Sequence, residues 1–559
     1  MLLRPLCLIL LLLSASALAQ TQPPDFEGGE VEEAEFEVVK SRENKLPPAS
    51  RNYQKVQETA RPATEPQFEY EFPTFRQDGL PDLEPRIRVK TLPKEPLNKL
   101  YGNYVKGGVG NYATTYLEGF FTNKRSEDYQ YGAQLRHLAS ARGPVDQGNS
   151  GAGENLIKVF GDRFGERANV GGWASYERRR YNFYGYAPSP EPSGDSLKQV
   201  FNMIDAGVRL SSHDADAPLQ YQLRAHVGRV ADFLEARETE FNLGGESRYA
   251  LSESSSIRVG LMSAFTNRRD AGVGEDSTTS IGRNLVVLSP AYRWQQGDFF
   301  VTAGANAAFN NDTANASGFH LYPHLHVDYA LVPERFETFA GLTGTMEKVT
   351  LRTLADENPF LAPNAELRHA NQTFKVYVGA RGQLINRFSY RTELSFSNYQ
   401  NLPFFLNAPD DTVKFDVVYD GTGNTSVVGF NGELTFDATT DLRLTAGTDV
   451  RSYGTNQLAR PWHRPAFVGG LTATYDIREK IRIGTNLFYQ SAVWAFDPRL
   501  DEETQLDGLV DLDVRLEYLF SERASAFLNF DNLLNQQNPR YLYYPTRGLM
   551  VMAGATYAF

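Results

Sequence analysis

The feature that most restricts the fold is an alternation of apolar and polar side chains that runs from residue 101 to residue 559. Its clearest stretch is 510–518, where five apolar residues share one face and four charged residues share the other. Stretches 219–227 and 374–381 repeat the arrangement. A period of two belongs to β-strands, and turn residues separate the runs. The sequence therefore predicts an all-β structure without a helical interruption.

Two kinds of β protein produce such an alternation. In a soluble sandwich the apolar face covers a core, whereas in a large membrane barrel it faces lipid and the charged face lines water. Beyond residue 20 no apolar run approaches the roughly 18 residues that a spanning helix needs. Aromatic residues make up 12% of the chain, which suits girdles at two membrane interfaces.

Connection lengths favour the barrel, because barrels of this kind have short turns at the periplasmic end and long loops at the other. Long and short candidates alternate along the chain. The long ones are 185–196, 269–282, 310–317, 355–370, 456–465 and 536–546, and the short ones are 296–298, 333–335, 386–387, 478–480 and 521–523. The candidate strands number about 22, with an error of about two, so we predict a transmembrane antiparallel β-barrel of about 22 strands.

The last strand carries a second signal. Tyr557 lies on the apolar face of this strand, and the chain ends in Phe559. This ending resembles the recognition signal of outer-membrane barrels, so Tyr557 and Phe559 are candidate membrane-insertion residues. The resemblance implies that the barrel lies in the outer membrane, in contact with its lipid.

The beginning of the chain predicts two further segments. Arg4, the apolar run 6–13 and the small residues around Ala19 have the layout of a secretory signal peptide over 1–19. Residues 20–96 are rich in Pro and Glu and are expected to be an extended or disordered periplasmic segment, followed by the barrel over 97–559. The only cysteine, Cys7, lies in the predicted signal, which leaves no thiol for disulfides or metal sites.

Residues 526–535, followed by 541–545 and the final strand, resemble the C-terminal signature of TonB-dependent receptors. The resemblance implies a barrel of about 22 strands with a folded plug that imports scarce ligands with force from TonB. Residues 20–96 lack the length and alternation of a standard plug. Phe36, Val38 and Val39 form a candidate TonB-contacting segment, although any extended peptide that binds a partner or fills the lumen has the same pattern.

A barrel this wide leaks if its lumen is open, so we expect something to occupy it. The candidates are the segment 20–96 folded inward, the long outer loops, or a partner protein. If the segment 20–96 does not fold inward, it is a candidate for binding TonB or another periplasmic protein. The net charge of −12 argues against nucleic acid as a partner.

Two sets of residues have the chemistry of metal ligands. His320, His324, His326 and Asp328 share one face of a predicted strand, where they either bind a metal or form an ordinary polar row in the lumen. Acidic and amide clusters at 310–312, 356–358 and 410–411 either hold a hard cation such as calcium or are solvated loop tips.

No serine elbow, His-Glu-x-x-His, phosphate loop or cysteine pair is found, so we expect neither an enzyme nor a bound cofactor. Two functions remain. In the first, the barrel transports a solute through a gated lumen. In the second, it is a structural or assembly component of an outer-membrane complex.

Overall fold

The computed structural model describes residues 101–559, except 188–191, 193, 195, 215, 271–279, 313–317 and 422. In this part of the chain 22 antiparallel strands form one sheet, which is closed because the first strand pairs with the last. The barrel strands are β1 Asn103–Gly110, β2 Thr114–Thr122, β3 Tyr129–Ser140, β4 Ala152–Phe164, β5 Ala168–Asn182, β6 Lys198–Ser212, β7 Leu219–Ala231, β8 Arg237–Ser252, β9 Ser255–Arg269, β10 Ser280–Gln296, β11 Phe299–Asn310, β12 Phe319–Val332, β13 Phe336–Glu347, β14 Ala370–Ile385, β15 Phe388–Gln400, β18 Thr425–Asp437, β19 Leu442–Gly454, β20 Phe467–Ile477, β21 Ile481–Gln490, β24 Leu509–Leu519, β25 Ala524–Asp531 and β28 Met550–Ala558.

The predicted strand number and fold class are confirmed. All five predicted short turns and all six predicted long connections fall between barrel strands. Two more long connections, 401–424 and 491–508, contain short hairpins. These are β16 Phe404–Asn407 with β17 Phe415–Val418, and β22 Val493–Asp497 with β23 Glu502–Leu506. A third pair, β26 Pro539–Tyr541 with β27 Tyr544–Pro545, precedes β28.

The expectation of an uninterrupted β pattern is wrong at one place, because Leu351–Glu357 forms a helix, α1, between β13 and β14. Thr350 and Thr353 start it. The Thr350 hydroxyl accepts a hydrogen bond from the Thr353 amide at 3.2 Å, and the Thr353 hydroxyl accepts one from the Thr350 amide at 2.8 Å. These reciprocal bonds form a capping box that satisfies two backbone donors at the helix start. None of the described helices is long and apolar enough to cross a membrane.

The strands present an apolar face outwards. On β6, Ile204 and Val208 are more than half exposed, whereas Asp205 between them is largely covered. β12 shows the same alternation, with Leu321 and Leu325 exposed. A belt of exposed Val, Leu, Ile and Phe around a closed barrel is the surface that lipid requires, and the predicted assignment of apolar and charged faces is confirmed.

Candidate functional site

The connection 348–369, which carries α1, enters the lumen of the barrel. Arg352 on α1 donates to Asp205 at 2.6 Å, and Asp205 is the eighth of the fifteen residues of β6. α1 also lies close to β5, where Arg179 pairs with Asp356. β5 and β6 are seven or more strands away from β13 around the sheet. A connection that starts at β13 reaches them only by crossing the lumen.

Buried polar contacts fasten this connection to the wall. The Arg283 guanidinium on β10 pairs with Asp312 at 3.1 Å and donates to the Val349 carbonyl at 2.9 Å. Arg268 on β9 donates to the Ala365 carbonyl at 2.7 Å. Both arginines are about 4% exposed. Buried charges need such partners because a lone charge in a dry environment is very unfavourable.

More contacts from β8 hold the start of the connection. The Glu238 carboxylate accepts the Leu351 backbone amide at 3.0 Å, and the Lys348 ammonium lies 2.6 Å from Glu240. The amide of Leu351 is one of the donors that a helix start leaves without a partner inside the helix. The wall strand therefore completes the cap of α1.

The other long connections meet this one in an aromatic core. The rings of Phe360 and Tyr544 stack with centroids 3.7 Å apart, and Tyr184 meets Tyr544 edge-on at 4.9 Å. The Tyr541 hydroxyl donates to the Glu357 carbonyl at 2.7 Å. Because these rings come from three separate connections, the core joins distant parts of the chain. We call this folded set of connections the inner cap; its core consists of Phe183, Leu197, Phe201, Met203, Val230, Ala236, Val349, Leu351, Leu354, Ala355, Phe360, Leu361, Ala365, Leu367, Ala370, Phe405, Phe415, Val417, Tyr419, Tyr541 and Tyr544.

Two histidines are buried in the inner cap outside the strands. The His463 Nδ1 donates to the Phe405 carbonyl at 2.9 Å, and its burial lowers its pKa to about 4. The His369 backbone amide donates to Asp312 at 2.8 Å, and burial together with the Arg283 charge lowers the pKa of its imidazole. Burial has this effect because it disfavours the charged form of the ring. Both rings are therefore neutral at pH 7.

The inner cap leaves cavities along the wall formed by β14 to β28. One of them, of about 720 Å³, lies between the inner cap and strands β21, β24 and β25. Two further cavities of about 660 and 320 Å³ adjoin it: Phe488 lines the first two, Asn431 the second and third, and Glu357 the first and third. The three cavities therefore share lining residues and lie next to one another along the lumen wall.

The predicted histidine row lies on the inward face of β12. His326 is 3.0 Å from Asp328 and bonds to the Tyr377 hydroxyl at 2.8 Å, while His324 contacts the Thr343 hydroxyl at 3.3 Å. The ring of His320 stacks on Tyr322. Among the described residues no three His, Cys, Asp or Glu side chains are grouped so that they hold a metal ion. The structure thus brings His326 and Asp328 together, whereas His324 contacts Thr343 and His320 contacts Tyr322.

The acidic clusters lie at the inner cap. Asp312 is buried against Arg283, and Asn358 is fully buried. Glu357 pairs with Arg464 at 2.6 Å. Asp312 and Asn358 are therefore buried parts of the inner cap rather than solvated loop tips, whereas Asn311 and Asp356 are exposed.

The remaining candidates are the two ends of the chain. Tyr557 faces outward on β28 and is half exposed, and the Phe559 ring lies 6.4 Å from that of Phe121 on β2. The insertion role of Tyr557 and Phe559 stays a prediction. Phe36, Val38, Val39 and the predicted boundaries at 19 and 96 lie outside the described residues.

The long outer loops were one of three candidate occupants of the lumen, and the inner cap agrees with that candidate, but the residues that form its core were not predicted. One signal was available in 401–419, where the short stretch between two strands contains Phe404, Phe405, Phe415, Val417 and Tyr419. A solvated loop does not need so many apolar residues. Their burial against the other connections accounts for them.

A closed 22-stranded barrel with an apolar outer belt defines a transmembrane β-barrel of the outer-membrane type. The sequence matches no protein-family model and no curated protein. Solved structures do match.

The chain is similar to the FrpB iron transporter from Neisseria meningitidis, with a TM-score of 0.65 and 11% identity over 83% of this chain and 82% of that one. It is similar to the siderophore receptor PirA from Acinetobacter baumannii, with a TM-score of 0.63 and 11% identity over 82% and 80%. The ferric-catecholate import receptor Fiu from K12 E. coli gives a TM-score of 0.61 and 11% identity over 83% and 82%. At this identity the likeness establishes a shared barrel fold.

Proposed function

We propose that the protein is an outer-membrane transport barrel whose inner cap is the gate. The observation that carries this proposal is the set of neighbouring cavities beside the inner cap, whose linings extend from Tyr544 in a long connection to Glu433 on the lumen wall. A barrel of 22 strands is wide enough to pass solutes once its lumen is free. An anchor for a protein complex needs no such internal space.

The contacts of the inner cap suit a gate. α1 meets the wall through ion pairs such as Arg352 with Asp205, which lies at mid-strand beside the lumen. When such an ion pair breaks in a water-filled lumen, water hydrates both charged groups. Breaking it therefore costs less free energy than separating an apolar interface of equal size. Folded connections therefore close the barrel without sealing it permanently.

The comparisons favour import over export. FrpB is described as an iron transporter, PirA as a siderophore receptor and Fiu as a ferric-catecholate import receptor. We extend the import role to this chain, with a periplasmic partner such as TonB acting through 20–96 and its residues Phe36, Val38 and Val39.

Single-channel conductance in planar bilayers tests the gate. We compare the mature chain with a variant in which a short Gly/Ser linker replaces 349–368, and we expect a large steady conductance only in the variant. The same linker in place of 123–128, between β2 and β3, is the matched control, because none of these residues belongs to the core of the inner cap. If the first variant stays closed while it still forms a barrel, the inner cap is not the gate and the structural or assembly role becomes the better explanation.

A further inference from the structure

The 720 Å³ cavity has charged groups of both signs on its lining. Asp511 on β24 and Asp531 at the end of β25 supply negative charge, and Arg547 in the connection before β28 supplies positive charge. Arg547 forms no ion pair with any of the described residues, and the ionisable groups that act on it are the phenols of Tyr184 and Tyr112. The guanidinium of Arg547 therefore remains available to a ligand.

Four buried polar atoms on this lining have no hydrogen-bond partner among the described residues. They are Asn182 Oδ1, Asp511 Oδ1, Gln536 Oε1 and Arg547 Nε. The side chain of Asn182 is more than nine-tenths buried, and its amide nitrogen already donates to the Asn149 carbonyl at 3.0 Å. Buried polar atoms are normally paired, so unpaired ones in a cavity indicate groups that a ligand or water satisfies.

Three of these atoms are acceptors and one is a donor. The acceptors require N–H or O–H groups, and a guanidinium prefers a carboxylate, which it binds with parallel hydrogen bonds. The rest of the lining includes the aromatic rings of Tyr181, Phe360, Phe488 and Tyr544. Apolar and aromatic walls with a few placed polar groups are typical of small-molecule sites of 300–1,000 Å³.

We propose that this cavity binds a short peptide with free termini, with its carboxylate at Arg547 and its ammonium group near Asp511 and Asp531. This inference rests on the proposed transport function, since it names the class of solute that the barrel admits. Backbone N–H groups of the peptide satisfy the acceptors of Asn182 and Gln536. A neutral sugar would supply hydroxyls but would leave the charges of both signs without counter-charges, and a simple anion would leave the acidic side unsatisfied.

Calorimetry measures binding to the purified full-length barrel in detergent micelles, and this tests the proposal without any transport step. The probes are tetra-alanine with free termini, tetra-alanine with an acetylated amino end and an amidated carboxyl end, and maltotetraose. We expect saturable binding of the free peptide and at least tenfold weaker binding of the blocked peptide and the sugar. Equal binding of free and blocked peptides, tighter binding of maltotetraose, or no binding of the free peptide at millimolar concentration overturns the proposal.

The substitution Arg547→Gln separates the carboxylate contact from general effects on the fold. We expect it to weaken free tetra-alanine at least tenfold and to leave unchanged the binding of the peptide amidated only at its carboxyl end. Arg258→Gln is the matched control, because Arg258 on β9 also has a buried Nε without a partner among the described residues but does not line this cavity. If both variants weaken the free peptide equally, Arg547 is not its carboxylate contact. A barrel that binds the peptide but fails the conductance test refutes the transport function and leaves the binding site standing.

Discussion

Arg352 on α1 and Asp205 on β6 form an ion pair of 2.6 Å across the lumen, although 147 residues separate them in the chain. The pair is partly covered, with side-chain exposures of 31% and 13%. Its loss would release α1 from a wall strand that lies seven strands away from β13 around the barrel.

We predict that Arg352→Ala loosens the inner cap by about 1–2 kcal/mol, between the values of exposed and buried ion pairs. Single-channel recording should then show brief openings that the unaltered protein lacks. The exchanged pair Asp205→Arg with Arg352→Asp should restore closure. Arg482→Ala is the control, since it breaks an exposed pair with Asp476 beside a short turn; openings of equal frequency in both variants would contradict the prediction.

A second prediction concerns Asp312, which accepts from both the Arg283 guanidinium and the His369 backbone amide. Asp312→Asn leaves the buried Arg283 charge without a counter-charge, which typically costs about 3–5 kcal/mol. We expect protease to cut within 349–368 in the intact barrel of this variant and not in the unaltered protein. Asp411→Asn is the control, because it removes a negative charge from an ion pair with Lys414 that is more exposed than the pair of Asp312 with Arg283. This variant should show the same protease cleavage pattern as the unaltered protein. Resistance of the Asp312 variant would show that the pair does not hold the connection.

The sequence predicts the barrel well because each strand carries its own signal. The alternation on 510–518 is local, and a closed barrel follows from many such strands with short and long connections in turn. The outward position of Leu321 and the inward position of His324 on β12 follow from the same period of two.

The inner cap is less predictable because its contacts join residues far apart in the chain. Tyr541 and Glu357 are hydrogen-bonded across 184 residues, and Tyr184 reaches the Pro545 carbonyl across 361. No local period records such a pairing. Asp312 is an example. Its position between β11 and β12 suggests a solvated loop tip, but the structure pairs it with Arg283 on β10.

A third prediction concerns the stack of Tyr544 on Phe360. Tyr544 is 2% exposed, so Tyr544→Ala should cost about 3–5 kcal/mol through the cavity that it leaves. Tyr544→Phe keeps the ring and loses the hydroxyl bond to the Val413 carbonyl, which is worth about 1 kcal/mol. Hydrogen exchange of backbone amides in 401–419 should rise strongly in the first variant and slightly in the second. Equal exchange in the two would mean that the ring contributes nothing to the core.

The last prediction is a dependence of the inner cap on pH. The pKa of His463 is about 4 in the folded protein and about 6.5 in an unfolded chain, so the folded state favours the neutral ring. The stability that this ring provides is complete above pH 6.5 and decreases by about 1.4 kcal/mol for each pH unit as the pH falls from 6.5 towards 4. His369, whose pKa is also lowered, acts in the same direction. Channel openings should therefore become more frequent between pH 6.5 and 4.5, and His463→Gln should flatten this dependence, while replacement of the exposed His213 should not. An opening frequency that stays constant over this range would show that burial of these rings does not control the gate.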